Sequence, residues 1–230
     1  MKNFLLCTAI LFLLFSCTTD ADSNLEVKDT NLSDHKIVEV SFPLNPANPY
    51  DFKGKSYYDA VQVYLQNNKS PQNIEEINSQ IYFISEFYKS SKTGKKTNLG
   101  FTPEEILSIL NNPTSKLFEI VANSSLSTVS KLQLSDFIQD LIDNQNDQYI
   151  VMRDQIILFD AEVLANDTLN NTEKEIILTF STVSSYALYA EAERKDRDWE
   201  TSVGHKKVNT SSDQNLVPFF SMIALLNAIL

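Results

Sequence analysis

Apolar residues along this chain recur mostly three and four positions apart, the spacing of a helix face, and strict alternation is scarce. Lys55 to Gln66 places Tyr57, Val61, Tyr64 and Leu65 on one side of a helix. Ser70-Pro71 reads as the start of a second, with Glu75 and Glu76 in its first turn, where they oppose the helix dipole. Its stripe is Ile74, Ile77, Ile81, Ile84 and Tyr88, and it ends in the polar loop "SSKTGKKTNLG". Thr102-Pro103-Glu104-Glu105 is a capping box with proline at the first helical position, and Ile106, Ile109 and Leu110 follow. Asn112-Pro113 stops that helix and starts another through Leu117, Phe118 and Val121. Ser135 is expected to cap a short helix carrying Phe137, Ile138, Leu141 and Ile142.

Tyr149 to Ala165 carries two apolar stripes, Ile150/Ile157/Ala161/Leu164 and Met152/Ile156/Phe159/Val163, which predicts a central helix. Thr172-Glu173-Lys174-Glu175 reads as a second capping box. It opens a long helix through Ile176, Phe180, Val183, Ala187 and Ala190, in which Ser181, Ser184 and Ser185 permit close approach. Leu216 to Leu230 is mostly apolar, with Pro218 placed as an N1 residue. It is expected to dock as a last core helix, the other outcomes being a membrane or a partner's groove. Ahead of all these, Pro43, Pro46 and Pro49 forbid regular helix between Phe42 and Phe52 and favour an extended loop. The expected fold is all-α: a single bundle of about six to eight helices after a disordered N-terminal tether.

The N-terminus departs from this pattern. Lys2 precedes an apolar run from Phe4 to Phe15 broken only by Thr8, which is the build of an export signal. A spanning helix needs roughly 20 apolar residues, so the run is too short to cross a bilayer. Leu14-Phe15-Ser16-Cys17 resembles the lipobox of bacterial lipoproteins, in an arrangement of Bacteroidetes type. That resemblance implies cleavage before Cys17 and lipid on its thiol and new amino group. The chain then divides into a signal peptide (1–16), a lipidated cysteine with a flexible tether (17–41) and a helical domain (42–230). Cys7 would leave with the signal and Cys17 would become a thioether, so thiolate metal sites, cysteine nucleophiles and disulfides drop out together.

Composition narrows the function further. A formal charge of −11 over 230 residues argues against nucleic acid and against lying flat on an anionic leaflet. With 4 glycines, the chain is poorly supplied for phosphate-binding loops. Gly94-Lys95-Lys96-Thr97 lacks the rest of a P-loop, and no G-x-S-x-G elbow occurs. Glu191, Glu193, Asp196, Asp198, Glu200 and His205 form the one polar cluster with catalytic potential. Arg194, Lys195, Arg197, Lys206 and Lys207 are interleaved with it, which favours ion pairs on a solvated helix end over a metal site. No catalytic residue, metal or cofactor is assigned, and nothing in the residues sets an oligomeric state.

Asn48-Pro49-Tyr50-Asp51-Phe52, with Gly54 following, resembles an "NPY-D/E-F-x-G" segment of uncharacterised exported helical proteins of Bacteroidetes. The resemblance implies an exported address and a helical fold, and no activity. The expected function is therefore a lipid-anchored envelope protein, held to the membrane through its N-terminal lipid. Its helical domain would be a non-enzymatic binding module for a partner such as a protein. The alternatives are an envelope hydrolase using carboxylates near residues 191–205, and a membrane-active protein using the C-terminal apolar segment.

Overall fold

Two Asn-Pro pairs shape the chain before the first helix among the described residues. The computed structural model describes residues 42–90 and 101–203, the side chains of 87–90 and 197–203 excepted. Within "NPANPY" the Asn48 amide donates to the Asn45 carbonyl at 3.0 Å, and the Asp51 amide donates to that of Asn48 at 3.1 Å. Each asparagine also accepts, on its side-chain oxygen, the amide two residues ahead: Ala47 to Asn45 at 3.2 Å, Tyr50 to Asn48 at 2.9 Å. These are two consecutive Asx turns, each with proline in the position whose φ it presets.

Among the described residues seven helices follow and no strand occurs: α1 (Asp51–Asn67), α2 (Ile74–Ser90), α3 (Pro103–Asn111), α4 (Pro113–Asn123), α5 (Thr128–Asp143), α6 (Tyr149–Ala165) and α7 (Asn171–Val203). α1 begins four residues before Lys55, because the second Asx turn feeds directly into it. α2 begins after Pro71: Asn73 caps it, accepting from the Glu76 amide at 2.9 Å. The Thr102–Glu105 box forms with both of its hydrogen bonds, and Pro113 starts α4. α5 starts at Thr128 with Ser127 as its cap, so Ser135 lies mid-helix instead of opening it.

The long helix α7 also starts earlier than its Thr172 signal suggests. Asn170 accepts from the Glu173 amide and Glu173 accepts from the Asn170 amide, each at 3.0 Å. The capping box is thus Asn170–Glu173, and asparagine fills the role that serine or threonine usually takes. The other oxygen of Glu173 accepts from the Ser127 amide at 3.0 Å. One carboxylate therefore serves the starts of both α5 and α7. These hydrogen bonds, the Ser127 hydroxyl first and the Asn170 amide next, hold its pKa down to about 2.

α7, not α6, is the central helix. Every residue from Ile177 to Ala187 is buried, whereas α6 buries only the stripe through Met152, Ile156 and Val163 and leaves Leu158 65% exposed. α7 packs along α1 and α6 and touches α5; α2 lies on α1, and α3 and α4 carry the chain across to α5. Small side chains set the closeness: Ser181, Thr182, Ser184 and Ser185 are buried on α7, and Gly54 of α1 rests against Thr182 and Tyr186. Among the described residues no helix is long and apolar enough to cross a membrane. The proposed signal, tether and C-terminal apolar helix lie outside the described residues.

Candidate functional site

Where the Asx turns meet α6 and α7, two carboxylates are taken out of water. Asp160 interrupts the buried stripe of α6 and is 1% exposed. Its Oδ2 accepts from Asn45 Nδ2 at 2.8 Å and from Asn48 Nδ2 at 2.9 Å, and its Oδ1 accepts from the Ser181 hydroxyl. Asn48 Nδ2 also donates to the Leu178 carbonyl at 3.1 Å. Asp51, the first residue of α1, accepts from the Asn45 amide at 3.1 Å, from Tyr186 at 3.0 Å and from Thr182 at 3.4 Å. Asn45 therefore bridges both acids, donating to Asp160 through its side chain and to Asp51 through its backbone. Each asparagine divides its amide in the same way: the oxygen shapes the turn and the nitrogen holds Asp160.

The electrostatics follow from burial among neutral donors. Desolvation raises the pKa of Asp160 to about 6. Hydrogen bonds from Ser181, Asn48 and Asn45 oppose that rise, and the charge of Asp51 adds to it. Asp51 is raised as well, by burial first, against the hydrogen bonds it receives. The Tyr186 hydroxyl is pushed well above the ordinary phenol range by burial and by Asp51. Each carboxylate is buried and accepts from three neutral donors, so the arrangement fastens the loop to α6 and α7.

An aromatic group covers one side. Phe42 meets Tyr186 and Tyr189 edge-on, each with ring centroids 5.5 Å apart, and lies 6.1 Å from Tyr58. The Tyr58 hydroxyl donates to Glu193 at 2.7 Å, and burial with Glu193 raises Tyr189 to about 12.

No family model, curated protein or solved structure matches the chain.

Of the polar cluster expected from the sequence, Glu191, Glu193 and Asp196 have described side chains. Glu191 pairs with Arg194 at 2.7 Å and lies 3.7 Å from Lys195, one helix turn apart, and Asp196 is exposed. Glu193 turns toward the tyrosines. Asp198 and Glu200 lie on the last turns of α7 without described side chains, and His205, Cys17 and the Gly94 loop lie outside the described residues. Among the described residues, no group of three or more His, Cys, Asp or Glu side chains is placed to hold a metal ion.

A concavity of about 620 Å³, open to solvent, lies between α3 and α4. Phe101, Ile109 and Ile120 form its apolar part. Two of its carboxylates are engaged, Glu105 in the α3 cap and Glu119 with Lys116 at 2.6 Å.

The Asn45, Asn48, Asp51 and Asp160 constellation was not anticipated from the sequence. Two signals were present: the repeat Asn-Pro-x-Asn-Pro-x-Asp, and an aspartate in phase with Ile156 and Val163 on a buried stripe. Their pairing across more than a hundred residues was not legible.

Proposed function

We propose that this chain is a lipid-anchored protein of the bacterial cell envelope, of Bacteroidetes lipoprotein type. Its helical domain acts as a non-enzymatic binding module. The observation that carries the address is Leu14-Phe15-Ser16-Cys17 at the end of a signal-like apolar run. Cys17 takes the lipid, and the polar stretch up to residue 41 serves as the tether. The membrane is then the first partner, and a protein is the expected second.

Two features support a binding role over a hydrolytic one. The carboxylates Asp51 and Asp160 are buried, and each is held by three neutral donors of its own fold. Glu191, the first acid of the 191–205 group, is paired with a cation on its own helix.

Metabolic labelling with an alkyne fatty acid tests the anchor. The wild-type chain is expected to take up label and to fractionate with membranes, and Cys17→Ser to lose both. Undiminished labelling of the Cys17→Ser chain would overturn the proposal.

A further inference from the structure

Asn45 joins two buried acids of like charge with neutral donors on every side. Asp160 faces the amides of Asn45 and Asn48 from the loop and the hydroxyl of Ser181 from α7. Asp51 faces the Asn45 amide and the hydroxyls of Thr182 and Tyr186. Lys53 and Arg153 make their hydrogen bonds and ion pairs to groups outside the two acids. Lys53 of α1 bonds Glu175 at 2.8 Å and Thr179 at 3.1 Å on α7. Arg153 of α6 meets Asp154 at 3.4 Å and the Leu44 carbonyl at 3.5 Å. Tyr186 can neutralise nothing, since its phenol donates while still protonated.

We propose that the Asp51–Asp160 pair is a proton-operated latch: one proton taken up by the pair, held chiefly on Asp160, tightens the grip of residues 42–51 on α6 and α7. Two buried carboxylates without a cation repel each other and lack the hydration they have when the loop is lifted. A proton relieves both penalties only while the loop is closed. The closed form therefore binds the proton more tightly than the open form, and by linkage the proton holds the loop closed. Ser181 accommodates the change, because its hydroxyl can turn its hydrogen to the Leu178 carbonyl, 3.1 Å away, and accept from the acid. The device stands whether or not Cys17 carries lipid.

Hydrogen exchange of the peptide covering 42–52, in the full chain and corrected for the intrinsic pH dependence of exchange, tests the latch. For Asp160 at about 6 when closed and 3.8 when open, protection should rise about tenfold between roughly pH 7.5 and pH 5. Asp160→Asn keeps the size and removes the proton site, so its corrected protection should be flat. Wild-type protection that stays level or falls on acidification would overturn the proposal, as would an unchanged rise in Asp160→Asn. Should that variant fail to fold, aspartate carboxyl carbon shifts of the wild-type chain decide. A buried aspartate titrating above about pH 5 supports the latch, and all aspartates titrating below it overturn it.

Discussion

Gly54 lies where α1 crosses α7, and a Cβ there would stand 2.7 Å from the Thr182 carbonyl oxygen and as close to Thr182 and Tyr186 side-chain atoms. A carbonyl in the middle of a buried helix has no rotamer by which to retreat. Gly54→Ala is therefore expected to destabilise the fold by about 1–3 kcal/mol despite alanine's better helix propensity. Urea unfolding followed by circular dichroism reads this directly; a neutral or stabilising effect would mean the helices can part. The same crossing explains why Thr182 and Tyr186 are both within reach of Asp51. Close approach is what lets a short carboxylate at the start of α1 meet groups on α7.

At the scale of the element, local chemistry specified helices well and their starts less well. The Thr102–Glu105 box and the Asn112-Pro113 break read correctly because every partner lies within four residues. α5 did not, because its cap Ser127 precedes a turn rich in hydroxyls, and its anchoring acceptor, Glu173, belongs to another helix 46 residues on. Two variants separate the readings. Ser127→Ala removes the cap of α5 and should cost about 1 kcal/mol, whereas Ser135→Ala in the helix interior should be neutral or stabilise by up to about 0.5 kcal/mol. Thermal unfolding of the two should show the first well below the second, and the reverse order would return the start of α5 to Ser135. α6 shows a different limit. Its two apolar stripes are equally good on paper, and only the position of α7 decided that Met152, Ile156 and Val163 are buried while Ala161 of the other stripe is exposed.

For the whole molecule, stability should depend on pH in two opposed ways. Asp160 is raised from 3.8 to about 6, so between those values the folded chain binds more protons than the unfolded one, and stability rises as pH falls. Glu173 is lowered from 4.5 to about 2, so between those values the folded chain binds fewer, and stability falls with pH. The melting temperature should peak between about pH 4 and pH 5, and Asp160→Asn should flatten the neutral limb while keeping the acid one. A scan that declines steadily from pH 7 downward would contradict the assignment for Asp160. The sequence by itself determined that the chain is helical, where most helices lie and which residues face inward on each strongly one-sided stripe. Those properties arise from spacing, proline and caps, interactions confined to a few neighbouring residues. It also carries Leu14-Phe15-Ser16-Cys17, the local string on which the proposed lipid anchor rests. Only the tertiary structure decided that α7 is central, that Glu173 serves two helices and that Asn45 and Asn48 meet Asp160. Each of these depends on groups 46 to 115 positions apart being brought together. A buried acid looks like any other acid until the donors that surround it are in place.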